Sequence, residues 1–301
     1  MAENVEELFT RFEEHLARLA LAPTTIVNYL ADLRIFARWH ADVKGAAFSL
    51  LELTPDDIRE YRRHMQTNEG WTPATINRRL QAVRKFYSFA METGLTESNP
   101  AAEVQLIPKP GPNPPRALAP EEVTSLLQAV QRGRPSLVKR DYAIVQLLLQ
   151  TGIKLGELTR LRLSDVQLQG DGEGLLLVGE DDNNRRRIPL NSLACAALQE
   201  YLQGRLSSAS TENLFLSQDG NCISKRTVQR LIRVYTRAAG LEDVSAHVLR
   251  HTFAMSTLAN TGDISLVSRL LGHRCLETTA KYLISNQEGH LGSKRLQRLA
   301  H

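Results

Sequence analysis

The residues between Ala246 and Tyr282 are of types that can handle a phosphodiester. They read A-H-V-L-R-H-T-F-A-M-S-T-L-A-N-T-G-D-I-S-L-V-S-R-L-L-G-H-R-C-L-E-T-T-A-K-Y. His247 and Arg250 are three positions apart, so on a helix they share a face. A second helical run, Asp263 to Leu271, stops at Gly272, a natural helix terminator, and His273 follows at once. Tyr282 comes after Thr278 and Thr279. Arg can bind two phosphate oxygens with its planar fork. His can donate a hydrogen bond or move a proton near neutral pH. A Tyr hydroxyl can attack phosphorus and form a covalent intermediate. A single His or Tyr on a helix is ordinarily packing or surface. The combination in one segment is what points to chemistry.

These groups need a scaffold, and the 301 residues suffice for two domains. At 42% hydrophobic the chain can fill ordinary cores and is not of disordered composition. The net charge of +4 permits nucleic-acid binding without demanding it, so the distribution of charge must carry that argument. Cys195, Cys222 and Cys275 have no metal-site or disulfide-framework spacing, which fits a reducing cytoplasm. The acidic start M-A-E-N-V-E-E-L-F lacks a signal-peptide core, and no apolar run is long enough to span a membrane.

The first part of the chain predicts four helices. Val5 to Leu21 carries Leu8, Phe12, Leu16 and Leu19 as a stripe. After Ala22-Pro23-Thr24-Thr25 a second helix runs to about His40, with Val27, Leu30, Leu33 and Phe36 apolar. Thr54 caps a third, which ends near Gln66. Thr72-Pro73 opens a fourth, to about Glu92. On that helix Ile76, Leu80, Val83 and Phe86 form the apolar face, and Asn77, Arg78, Arg79, Arg84 and Lys85 fill the rest. Such a face is either solvated or laid in a DNA groove. Ile107 to Pro115 holds five of the chain's twelve prolines and predicts an extended linker. The expected organisation is 1–106, a linker over 107–117, and 118–301.

The second part predicts helices from Leu118, over Lys139 to Leu149, over Ser192 to Gly204 and over Ser224 to Ala239. A hairpin pairs Gly174–Gly179 with Arg186–Leu190. The helix from Ser224 carries Lys225, Arg226 and Arg230 on a basic face, suited to phosphate contact or to water.

H-x-x-R, L-G-H and T-T-x-x-Y, in this order and spacing, resemble the second half of the active site of tyrosine recombinases, the phage integrase family. T-G-I-K-L-G-E-L from Thr151, with Asp165 beyond, is similar to that family's first box. T-x-x-x-Y-x-x-x-L-x-x-F from Thr25 and T-I-N-R-R-L from Thr75 look like its core-binding domain. The resemblance spans nearly the whole chain and implies a mainly α fold with a small β-sheet: an N-terminal four-helix core-binding domain and an α+β catalytic domain. It implies groove contacts by Thr75, Asn77, Arg78 and Arg79, on double-stranded DNA gripped by both domains. It also implies a dimer or tetramer on DNA, docked through a C-terminal tail that carries Leu291, Leu296 and Leu299 among basic residues.

The implied reaction is transesterification without metal or cofactor. Tyr282 attacks a DNA phosphate and leaves a 3′-phosphotyrosyl link and a 5′-hydroxyl. Arg250 and Lys154 neutralise the phosphate oxygens. His247 accepts the tyrosine proton, His273 hydrogen-bonds the phosphate, and Glu157 is a supporting residue that orients cations. His251 is expected in packing or a supporting hydrogen bond. The chain departs from the family pattern twice. Lys154 stands where the family has Arg, and Glu180 or Asp181 stands where it has a catalytic Lys; Arg185 is the nearest cation in that loop. Two readings follow: a recombinase that tolerates the changes, or a DNA-binding relative with reduced or lost strand exchange.

Overall fold

The computed structural model describes residues 5–45, 48–108, 116–170, 172–179, 185–205, 211–273, 275–276, 278–280 and 282. Contacts divide the chain into two compact units, Met1–Gly111 and Pro112–His301. The proline-rich segment over 109–115, the hairpin loop with Glu180 and Asp181, and the tail with Leu291, Leu296 and Leu299 lie outside the described residues.

The first unit contains α1 (Val5–Arg18), α2 (Pro23–Lys44), α3 (Pro55–Thr67) and α4 (Pro73–Glu92). Proline opens the last three, where its fixed φ suits the first turn and its missing N–H costs nothing. Thr54 and Asp57 cap α3 reciprocally: Asp57 N–H donates to Thr54 Oγ1 at 3.3 Å, and Thr54 N–H to Asp57 Oδ2 at 2.9 Å. Leu8, Phe9, Phe12 and Leu16 form the buried face of α1. Phe12 meets Phe86 of α4 edge-on, with ring centroids 5.3 Å apart. Leu19 falls beyond the end of α1 and Val27 points outward, so both leave the predicted apolar stripes.

The second unit is built on α6 (Val138–Thr151), which is buried on nearly every side from Ala143 to Leu149. Before it comes α5 (Pro120–Gln131), and after it the short α7 (Leu155–Leu158). Strands β1 (Val166–Leu168), β2 (Gly174–Val178) and β3 (Arg186–Leu190) form an antiparallel sheet in that order. The hairpin is where the sequence predicts it, with Leu176 opposite Ile188; β1 is an addition. Leu176, Val178, Ile188 and Leu190 alternate inward, as a period of two requires. Then follow α8 (Ser192–Gly204), α9 (Lys225–Ala238), α10 (Ala246–Thr261) and α11 (Ile264–Leu271). α10 packs along α6 and against α11, which also meets β3. The fold is mainly helical with a small sheet.

Gly152 ends α6 in the left-handed conformation, at φ +59. A Cβ there would stand 2.3 Å from Phe253 Cδ1 and 2.9 Å from Leu271 Cδ2. The chain turns this tightly only because no side chain intervenes. Gly152→Ala is therefore expected to destabilise the protein by about 3 kcal/mol, combining left-handed strain with overpacking. A fall in the urea midpoint at unchanged slope measures it.

Candidate active site

The turn after Gly152 brings the first box to the two α10 and α11 motifs. Arg250 is buried, and its guanidinium donates from Nη1 to the Gly152 carbonyl at 2.5 Å and from Nη2 to the Leu271 carbonyl at 2.7 Å. One arginine thus joins the end of α6 to the end of α11. The remaining N–H groups of its fork have no backbone acceptor among the described residues. Burial lowers its pKa, Glu157 opposes that shift, and the group stays charged.

Glu157 sits at the start of α7. Its Oε2 accepts the Lys154 N–H at 2.7 Å, which fixes the backbone of the box. The carboxylate also faces Arg186 of β3 fork to fork, Nη1 to Oε1 at 3.0 Å and Nη2 to Oε2 at 2.9 Å. Arg186 Nε donates further to the Leu270 carbonyl at 2.7 Å. Burial pushes the Glu157 carboxyl upward, but the bonds from Arg186 and the Lys154 N–H outweigh it and hold the carboxyl below its usual range. The cation that Glu157 pairs with is thus Arg186. Arg185, named from the sequence only as the nearest cation to the hairpin position of the family's Lys, has Nη2 3.5 Å from Asp165 Oδ1.

Lys154, His247 and Arg250 line one cavity of about 250 Å³, together with Gln229, Arg233 and Ser245. Lys154 and His247 are exposed at it. Tyr282 is not among its walls. The phenol is buried with Phe253, Ala254, Leu258, Val267 and Leu271, and its hydroxyl lies 2.7 Å from His251 Nδ1. Burial raises the Tyr282 pKa, with Arg250 pulling the other way, so the side chain is a neutral phenol. The sequence assigns the proton acceptor to His247; the structure sets His251 at the hydroxyl. His251 does make the supporting hydrogen bond expected of it, but its partner could not be read. His273 Nδ1 is 2.8 Å from Thr279 Oγ1, which orients the ring.

On α9, Ser224 caps the helix and Lys225, Arg226 and Arg230 are exposed. Lys225 leans toward α7: a Cβ on Gly156 would be 3.3 Å from its Nζ. Arg226 and Arg230 line a larger cavity of about 1040 Å³ between α5 and α9, with Arg132 and Arg134 on its rim. That cavity contains none of the predicted catalytic groups, and size alone does not mark the reactive site.

In the first unit the expected basic face of α4 is partly turned inward. Asn77 is buried, donating to the Ile107 carbonyl and accepting from its N–H, both at 2.8 Å. Arg79 is buried over the Trp71 ring, 3.4 Å from its centroid, with Nε 3.6 Å from Asp32 Oδ1. Both therefore leave the set of available groove contacts. The reason is helical: Arg79 adjoins the Ile76, Leu80 and Val83 stripe, and buried Asp32 supplies its counter-charge. Arg78, exposed, pairs with the same Asp32, and half-buried Thr75 has its hydroxyl 3.1 Å from that of Thr72.

Among the described residues no cluster of three His, Cys, Asp or Glu could hold a metal, and no helix is long and apolar enough to cross a membrane.

Residues 116–288 match the phage integrase family, and residues 9–94 match the phage integrase N-terminal SAM-like domain. The chain is 32% identical over 297 residues to a tyrosine recombinase XerC from Roseiflexus castenholzii, covering 96% of this chain and 90% of that one. It is 31% identical over 276 residues to a tyrosine recombinase XerD from Lacticaseibacillus casei, covering 89% of this chain and 90% of the relative. Among solved structures it resembles XerH site-specific recombinase bound to a palindromic difH substrate in a post-cleavage complex. The TM-score is 0.73 at 22% identity, over 91% of this chain and 78% of that one, a likeness of fold.

Two outcomes are expected. Glu157 has its carboxyl lowered on folding, so its contribution is fully present above about pH 4.5, its ordinary value, and is lost as the pH falls through the folded value. Glu157→Gln should cost about 3 kcal/mol at pH 7, and urea titrations should show the gap to the parent closing below pH 4.5. Asn77→Ala should lower stability by about 2 kcal/mol, because it strands the Ile107 N–H and carbonyl. Mobility-shift titration of duplex DNA should show its affinity unchanged.

Proposed function

Because this chain belongs to the phage integrase family and is a tyrosine-type site-specific recombinase, we propose that it cuts and rejoins double-stranded DNA through a covalent link to Tyr282. The observation that carries this reading is the Arg250 fork. Two of its N–H groups are spent on the Gly152 and Leu271 carbonyls, and the same side chain lines the cavity with Lys154 and His247. Its charge also acts on Tyr282.

The Tyr282 oxygen forms a bond to phosphorus and the bond to the 5′-oxygen breaks. The DNA is left as a 3′-phosphotyrosine, and the departing 5′-oxygen takes a proton from solvent to become a free 5′-hydroxyl. His251 takes the phenolic proton, being within hydrogen-bond reach. Arg250, Lys154, His247 and His273 stabilise the negative charge that grows on the non-bridging oxygens. A 5′-hydroxyl from a second strand reverses the step. The phosphodiester bond energy is kept, so the reaction needs neither metal nor nucleotide. Lys225, Arg226, Arg230, Thr75 and Arg78 are the remaining candidates for DNA contact. The working unit is a dimer or tetramer on DNA, joined through the C-terminal tail. The units divide as 1–106 and 118–301, with a linker over 107–117 that follows the duplex.

Lys154 favours a second reading, a DNA-binding relative with reduced strand exchange. An ammonium is a point charge and lacks the two-pronged fit of a guanidinium. One lost oxyanion donor costs about two to three orders of magnitude in rate. Both readings meet in one experiment, a nicked suicide duplex carrying the binding site selected from a random-sequence pool. A covalent protein–DNA band that disappears in Tyr282→Phe is the expected result. Lys154→Arg should raise its rate about tenfold or more. Salt-sensitive binding with no band in the parent, and a band only in Lys154→Arg, would overturn the first reading for the second.

A further inference from the structure

Two carbonyls end α11, those of Leu270 and Leu271, where a helix leaves its last acceptors without intrahelical donors. Each is taken by a different guanidinium: Leu270 by Arg186 Nε and Leu271 by Arg250 Nη2. The next residue, Gly272, turns at φ +65, and a Cβ on it would stand 2.9 Å from Arg186 Nη1 and 3.1 Å from its Cζ. The turn that delivers His273 therefore lies directly on the Arg186 guanidinium. The other edge of that guanidinium holds both oxygens of Glu157, which in turn holds the Lys154 N–H.

We infer that Arg186 is the positioning residue that sets His273, Lys154 and Arg250 against one phosphate. The inference rests on the reading that Tyr282 cleaves DNA. Arg186 does not line the cavity shared by Lys154, His247 and Arg250, and it acts through its neighbours. Its three bonds leave one rigid plane, two side by side to the Glu157 carboxylate and one to the Leu270 carbonyl, which a lysine cannot reproduce. Two guanidiniums this close repel, and Arg186 lowers the Arg250 pKa; Glu157 between them offsets that repulsion. Removing Arg186 frees the Leu270–His273 turn and loosens the Glu157 anchor of the first box together. A shift of about 1 Å in reacting groups costs about a hundredfold in rate. The burden is greater where position 154 is a lysine, because its flexible stem supplies no orientation of its own.

The test is single-turnover cleavage of the nicked suicide duplex, with dissociation constants measured on the same duplex at the same salt. Arg186→Lys keeps the charge and loses the fork, so cleavage should fall about a hundredfold while affinity changes less than about threefold. Glu157→Gln/Arg186→Gln should be no slower than Arg186→Gln alone, since the two side chains act as one unit. Gly272→Ala, whose methyl presses the turn off the Arg186 guanidinium while removing no charge, should reproduce the loss and serves if Arg186→Gln does not fold. Full cleavage in Arg186→Lys, additive losses in the double variant, or equal losses of affinity and cleavage would each overturn the inference. Absence of a Tyr282-dependent band in the parent chain would instead overturn the reading of function beneath it.

Discussion

A buried guanidinium is the constraint around which the second unit is arranged. Taking an ion of this kind out of water costs several kcal/mol after relaxation, and only well-placed acceptors offset it. Arg250 finds them in the carbonyls of Gly152 and Leu271, which lie at the ends of two helices. That demand explains much of the local backbone. α6 must stop in a left-handed glycine so that its last carbonyl turns toward α10. α11 must stop with its carbonyls aimed at β3 and α10. The first box, the sheet and the H-x-x-R helix are thus joined by polar bonds at the one point where apolar packing would leave no room for chemistry.

What could be read from the chain was what is local in it. Helices announced themselves by apolar spacing, by proline at their starts and by glycine at their ends, and the hairpin by alternation around a polar turn. His247, Arg250, His273 and Tyr282 were legible as types at fixed spacings. Arg186 was not, because its meaning lies in partners 29 and 84 residues away. The strand pattern showed only that it began β3. His251 was legible as a supporting group, but its pairing with Tyr282 depends on how α10 meets the segment after α11. β1 was missed because three residues are too few to show a period.

The basic side of α4 teaches the complementary lesson. Charge on a helix face suggests an outward role, yet Arg84 donates to the carbonyls of Ala101 and Val104, and Asn77 clasps both backbone groups of Ile107. Arg62 of α3 adds a bond to the Gln105 carbonyl at 2.7 Å. Three polar side chains are thereby occupied in strapping the chain's exit from the first unit to its helices. A buried amide whose every hydrogen bond goes to main chain is a fastening, and its partner was invisible before the fold because that partner has no side-chain identity at all.

The burial of Tyr282 has a consequence for its exposure. Transferring an aromatic ring of this size from an apolar cluster to water costs about 2–3 kcal/mol, and every 1.4 kcal/mol is about tenfold in population. Left to itself, the phenol would therefore stand outside its cluster in about one molecule in a hundred. That population is set by the packing of Tyr282 against Phe253, Leu258, Val267 and Leu271, so a substitution at any of these four would change how often the phenol is exposed.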